Sequence, residues 1–490
     1  MKLADVVRPI TSRLGGDRFT RTTLNKLFPG HWSFLLGEVA LYSFLVLVAT
    51  GVYLTFFFSP SDAEIVYDGS YAPLVGQTVT EAYASTIHLS LEVRAGLLIR
   101  QTHHWAALVF IGAILLHMAR IFFTGAFRKP RELNWTIGLT LLVLALAMGF
   151  SGYSLPGDLL SGTGLRIAYS IAESVPLVGP WVTFLVFGGE WPVEGFTSRL
   201  YAVHILILPL AILGLLGAHL AILWRQKHTQ MTGPGARDDN LVGERLWPSY
   251  AMKAGGLALI VGGVLLVLGG TVQINPVWLY GPYDASSVTT AAQPDWYIGF
   301  LEGSLRLWPA WETRIGGLTI PAVFYSGVVA PAIMFGLLYA VPALHRRLTG
   351  DRSEHHLAQR PREAPVRTGI GVAAIAFYVV LFVAGAQDVI ASHFDVSVDV
   401  VRNLLRVLLV VLPPLAGYLA YRICRALAAG GAHPERTPVG FPLARTELGG
   451  FVEARAGTPE PPEPPVTEHD LEELDDAGVG GQGDPREQSR

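Results

Sequence analysis

The chain of 490 residues has one cysteine, Cys424. A single thiol excludes a disulfide framework, a cysteine-ligated iron–sulfur cluster and a Cys-based zinc site within this chain, so any metal must be held by His or carboxylate. Charge is also scarce. Only 15% of residues are Asp, Glu, Lys or Arg, where soluble proteins carry about 25%. The net charge of −3 gives no reason to expect a nucleic-acid partner. A signal peptide is not expected either, because Lys2, Arg8, Arg13, Arg18, Arg21 and Lys26 make the segment before the first apolar run too long and too polar.

What the chain has in quantity is apolar length. Hydrophobic residues make up 51%, and runs near the ~20 residues needed to cross a bilayer core recur near 33–57, 101–123, 136–155, 200–224, 252–273, 317–341, 369–387 and 404–423. Lipid offers no partner to a backbone N–H or C=O, so these runs predict helices. The expected fold class is an all-α polytopic membrane protein with eight transmembrane helices.

Charge orients them. The basic N-terminus, Arg128-Lys129-Arg131, Arg225/Lys227 with Arg237 and Arg245, and His345-Arg346-Arg347 through Arg367 fall on every second connection. The other connections carry Asp62, Glu64 and Asp68, then Glu173, Glu190 and Glu194, then Asp284, Asp295 and Glu302, then Asp388, Asp395 and Asp399. The alternation predicts a cell-membrane protein with both termini cytoplasmic. It divides the chain into a cytoplasmic segment (1–30), a four-helix bundle (31–230), a second four-helix unit (231–425) and a tail (426–490). Pro-Glu repeats at 459–465 and the acidic run 468–476 read as solvated and disordered. Short helices lying on the outer face are expected within 156–199.

Four histidines fall inside spans: His103 and His117 in the second, His204 and His219 in the fourth. An ionisable side chain in lipid is a functional candidate by default; the bland alternative is a hydrogen bond to a neighbouring helix. Spacing favours function. Fourteen residues are ~21 Å along a helix and ~40° from the same face, and fifteen are ~22 Å and ~60° off in the opposite sense. A proline such as Pro209, or a π-bulge, could absorb the extra residue. Both spans begin on the outer side, so His103 should face His204 and His117 should face His219. Two bis-histidine haems, one above the other, are the natural occupants. Zinc would want a third ligand at each level. His104 lies ~100° around the helix from His103, so only one of them can join this stripe; the 14-residue spacing selects His103.

Glycines repeat the same interval. Gly37 and Gly51 in the first span, and Gly138 and Gly152 in the third, are each 14 apart. Small-residue packing between helices is the ordinary explanation. Sharing the histidine period, they read as clearance for a flat macrocycle in a di-haem four-helix bundle. Arg100 and Arg120 lie three residues before His103 and three after His117, where guanidinium groups suit haem propionates; interfacial snorkelling is the alternative.

These residues resemble a known family. Arg100-Gln-Thr-His103, His117-Met-Ala-Arg120, Arg199 through His204 with Pro209 and His219, Thr124 through Trp135, and Gly152-Tyr-Ser-Leu-Pro156 look like signatures of cytochrome b from cytochrome bc complexes. Pro294-Asp-Trp-Tyr297 is similar to the family's Pro-Glu-Trp-Tyr motif, with Asp in place of Glu as in actinobacterial members.

The resemblance implies a quinol–cytochrome c oxidoreductase subunit with two b haems, the outer (His103, His204) of low potential and the inner (His117, His219) of high potential. It implies a quinol pocket between Pro294–Tyr297, the Tyr153 region and the 156–175 helices. There Asp295 would accept a proton, with Tyr297 and Tyr153 positioning the quinol and Pro294 and Trp296 lining it. Menaquinone is the implied quinone. A Rieske iron–sulfur subunit and a c-type cytochrome are the implied partners, in a dimer that could join a terminal oxidase. Two departures stand out: no N-terminal cysteine for an extra covalent haem, and an inner quinone site at which, of the mitochondrial residues, only Lys253 has a counterpart. Trp224 replaces the histidine there.

A di-haem anchor of a dehydrogenase would share the ligation, but in a shorter chain without the Pro-Asp-Trp-Tyr loop. A haem-free transporter with histidine proton relays is the alternative from another class.

Overall fold

The computed structural model describes residues 23–233, 235–287 and 293–429, and the backbone of two short strands, Leu443–Arg445 and Phe451–Glu453. Most of the expected N-terminal segment and of the tail, with its Pro-Glu and acidic runs, lies outside the described residues.

Eight helices are long and apolar enough to span a membrane: Trp32–Thr55, Gly96–Phe123, Glu132–Ser154, Phe196–Gln226, Leu246–Thr271, Ala322–Thr349, Pro365–Gly385 and Val398–Ala429. They match the eight expected spans in number and order. The ends differ for a physical reason. Hydropathy falls where charges begin, but backbone hydrogen bonding continues, so the sixth span runs through His345, Arg346 and Arg347 to a left-handed Gly350. Large apolar side chains such as Leu206, Leu210, Leu259 and Val267 point outward. That arrangement suits lipid, where no force drives them inward.

The spans pack as two close pairs facing each other. The first lies against the second and the third against the fourth, with the second also touching the third. The fifth covers the first and second, and the seventh and eighth form a separate pair. Phe44, Phe110, Ile111, Leu139, Leu142 and Ile212 fill the middle of the bundle.

Connections gather at two ends. At the acidic end, the residue 62 loop accepts a hydrogen bond from Thr197 N–H, Tyr83 Oη donates to Val277 O, and Leu159 N–H donates to Gly281 O. The expected surface helices are Leu159–Glu173 and Gly179–Val186, and the residue 295 loop leads into a further helix, Gly299–Leu307. At the basic end, short ladders stitch distant segments: Leu27–Phe28 pairs antiparallel with Glu244–Arg245, and Gln230–Met231 parallel with Leu357–Ala358.

Candidate functional site

The four histidines stand at two levels, and each lies beside one of the 14-spaced glycines. A Cβ built on Gly51 would come 3.3 Å from His103 Cε1, and one on Gly152 would come 2.5 Å from His204 Cε1. On Gly37 it would come 3.2 Å from His117 Cε1, and on Gly138 3.5 Å from His219 Cε1. The glycines therefore clear the imidazoles directly. The atom nearest each missing side chain is a ring carbon of the neighbouring span.

The fifteen-residue spacing of the fourth span is absorbed by a π-helical turn, Val203–Ile207, which contains His204. Pro209 follows within the next turn, inside the continuous helix Phe196–Gln226, where it removes one ladder hydrogen bond.

Hydroxyls fix the rings at the acidic end. Thr50 Oγ1 lies 2.9 Å from His103 Nδ1 and spends its own proton on Val46 O, at 2.6 Å. The imidazole must then donate through Nδ1–H, which leaves the Nε2 lone pair free for a metal. Ser151 Oγ repeats this, 3.0 Å from His204 Nδ1 while donating to Met148 O. Neither hydroxyl was singled out in the sequence, because Ser and Thr in helices commonly bond only their own backbone. The Nδ1 atoms of His117 and His219 are buried and have no hydroxyl partner.

A cavity of ≈ 270 Å³ opens beside His103 and His204, lined also by Gly51, Gly152, Arg100, His104, Tyr153, Asp158, Asp295 and Tyr297. Arg100 donates through Nη2 to Asn275 O at 3.3 Å, and its buried Nε finds no partner among the described residues. At the basic end Arg120 lies over the Phe34 ring at 4.1 Å, with buried Nε and Nη2 likewise unpartnered. Such groups call for an anion.

His104 does not compete for the stripe. Its Nε2 lies 2.8 and 3.0 Å from the two carboxylate oxygens of Asp295. Tyr297 donates to the same carboxylate at 3.1 Å and Asn275 Nδ2 at 3.4 Å. Burial, reinforced by the Asp295 charge, pushes the Tyr297 phenol well above its ordinary range, so it stays protonated and able to donate. Asp158 caps the helix Leu159–Glu173, and burial raises its carboxyl despite hydrogen bonds from Ser161 and Leu160 N–H.

A second cavity of ≈ 250 Å³ shares Tyr153 and Leu160 with the first and adds Pro294, Ile298, Glu302, Thr163, Gly164 and Ile171. It lies between the residue 294 loop and the helix Leu159–Glu173, where the sequence resemblance led us to expect quinol. Trp296 lines neither described cavity and packs 3.7 Å from the position of a Cβ on Gly112. Lys253 is exposed and ion-paired with Glu244. Trp224 is also partly exposed and sits under Lys26 Nζ at 4.2 Å.

These features define a class: a helical, multi-pass membrane protein that offers two levels of paired imidazoles, with a carboxylate-bearing cavity at one of them. Comparison with known proteins narrows it. The family Cytochrome b (N-terminal)/b6/petB matches residues 108–282. The cytochrome bc1 complex cytochrome b subunit of Corynebacterium diphtheriae is 48% identical over 426 residues, 87% of this chain and 79% of that one. The subunit of the same name from Mycobacterium tuberculosis is 49% identical over 426 residues, 87% of this chain and 77% of that one. A solved hyperthermophilic respiratory Complex III shares the fold at a TM-score of 0.62 and 19% identity, over 85% of this chain and all of that one.

The chain belongs to the family of cytochrome b subunits of the cytochrome bc1 complex, the quinol–cytochrome c oxidoreductase of respiratory electron transport. The family implies b-type haem, and the residues present fit it: imidazoles with free Nε2 atoms, glycines that seat them, and buried guanidinium nitrogens lacking an anion.

Proposed function

We propose that residues 31–230 hold two haems b, one between His103 and His204 and one between His117 and His219, and that residues 231–425 carry the quinol loop. Two imidazole levels, each imidazole seated against a glycine, carry this reading. Bound there, haem supplies one-electron redox chemistry at two depths, low in potential at the outer level and high at the inner. Arg100 and Arg120 hold the propionates.

The acidic end is the outer face, and both termini are cytoplasmic. Quinol, of the menaquinol class, enters the cavity lined by Pro294, Tyr153 and Ile171. Its oxidation releases two electrons and two protons. A Rieske iron–sulfur subunit accepts one electron and passes it to a c-type cytochrome; the other electron crosses to a quinone at the basic end. Moving a charge through the membrane potential corresponds to about 2.3 kcal/mol per 100 mV, and this movement conserves energy as a proton gradient. Asp295 takes a proton while Tyr297 and Tyr153 position the quinol. The complex is a homodimer that can join a terminal oxidase.

Protohaem analysis of the purified complex tests the ligands. Two haems per chain are expected. His103→Ala or His204→Ala should remove the outer one, His117→Ala or His219→Ala the inner one, and each should abolish turnover. Retention of both haems in all four variants rejects the assignment. Asp295→Asn should slow quinol oxidation by about 10²–10⁴-fold with both haem bands intact, as expected for loss of a general base; unchanged turnover removes Asp295 from the mechanism.

A further inference from the structure

His104 is a half-buried imidazole beside the outer histidine level, and the haem assignment leaves it without a role. It is not a spectator. Its Nε2 sits within hydrogen-bonding reach of both oxygens of Asp295, at 2.8 and 3.0 Å, and the two side chains are only 15% and 11% exposed. Tyr297 and Asn275 approach the same carboxylate. Together these donors set the direction in which Asp295 points. His104, Asp295 and Tyr297 line the cavity containing His103, His204 and Arg100. The neighbours of Asp295 in sequence, Pro294 and Ile298, line the second cavity, and Asp295 does not. Tyr153 borders both.

We propose that His104 is a positioning residue for Asp295: its Nε2–H holds the carboxylate on the outer-haem side of Tyr153, so that quinol in the second cavity reaches this carboxylate only in competition with His104. The inference rests on the proposed role of Asp295 and deepens it. A hydrogen bond to a charged group is among the stronger ones a protein makes, and a partly buried carboxylate that loses it will find another partner or turn. Without His104, Asp295 can still take a proton from quinol in the second cavity but is no longer drawn back to the outer-haem side. Its proton would then be released on the wrong side of Tyr153.

The test is a double-mutant cycle on the intact complex, with menaquinol analogue as substrate and the outer-haem band as a control. His104→Ala should lower kcat by about tenfold, the loss expected for one charge-assisted hydrogen bond, without raising KM. His104→Gln, whose amide N–H can stand where Nε2–H does, should recover most of that rate. In an Asp295→Asn background His104→Ala should add nothing further, because coupled residues are non-additive. The proposal is overturned if His104→Ala leaves kcat unchanged, if its effect multiplies fully with that of Asp295→Asn, or if the Gln variant keeps the outer-haem band yet fails to recover the rate. Should His104→Ala lose the outer haem, the Gln variant decides alone. Failure of the Asp295 reading looks different, since Asp295→Asn itself would then turn over normally.

Discussion

The two histidine levels are built from the same parts but are finished differently. Each has two imidazoles, two glycines and an arginine. At the acidic end both rings are braced by hydroxyls, Thr50 and Ser151, and an open cavity with Asp295 and His104 adjoins them. At the basic end the rings have no hydroxyl brace, and Arg120 is packed over Phe34. The difference teaches that, under the proposed function, ligation and substrate chemistry are separable. Imidazole and glycine recur at both levels; the hydroxyls, the carboxylate and the open cavity are found at only one of them.

Substitution at the glycines breaks the comparison hardest. A methyl on Gly152 would fall 2.5 Å from a His204 ring carbon, a distance that cannot be kept, whereas one on Gly138 would fall 3.5 Å from His219, an ordinary contact. Gly152→Ala should therefore eliminate the outer haem band and turnover together, while Gly138→Ala keeps both haems. Equal effects would show that the two sockets are not as unlike as their contacts suggest.

A smaller effect is expected from the braces. Thr50→Val with Ser151→Ala should weaken haem retention at the acidic end by about 10–100-fold, the usual consequence of losing an outer-shell partner. Haem release followed at both bands checks this, and the basic-end band should not move.

Smallest of all is an acid effect at the basic end. His228, against Phe28 at 4.8 Å, has its pKa lowered to about 4 from 6.5, by burial first and then by Lys26, Arg131 and Arg120. The unfolded chain takes up a proton below pH 6.5 and the folded one does not until about pH 4. Stability should thus fall as pH drops from 6.5 and level off near 4, by on the order of 1 kcal/mol or more between pH 7 and pH 5. Thermal unfolding of wild type against His228→Gln measures it; parallel pH profiles would remove His228 as the cause.

Much of this comparison was legible before any coordinates. Apolar length and alternating charge predicted eight spans because lipid leaves the backbone no other choice. The 14-residue interval exposed both the histidines and the glycines, since a helical period links sequence distance to depth and face. What the interval could not reveal was direction across the bundle. His104 differs from His103 by one residue and therefore by a whole face, and only the position of Asp295, 191 residues away, shows what that face meets. Thr50 and Ser151 were hidden for a related reason, as a hydroxyl in a helix looks the same whether it serves its own backbone or a neighbour's ring. Lys253 went the other way. Aligned by motif with a binding residue, it stands on an exposed face near the start of the fifth span, paired with Glu244.

The π turn around His204 carries a consequence for how this helix can vary. It works as a phase adjuster, taking up one surplus residue so that the two imidazoles of the fourth span share a meridian. Removing one residue from 205–207 would leave the two imidazoles fourteen apart, so the segment could relax into an ordinary α-helix with both rings still in register. Removing one residue elsewhere between His204 and His219, with the turn kept, would instead rotate one ring by about 100° relative to the other and take it out of line while the span still crossed the bilayer.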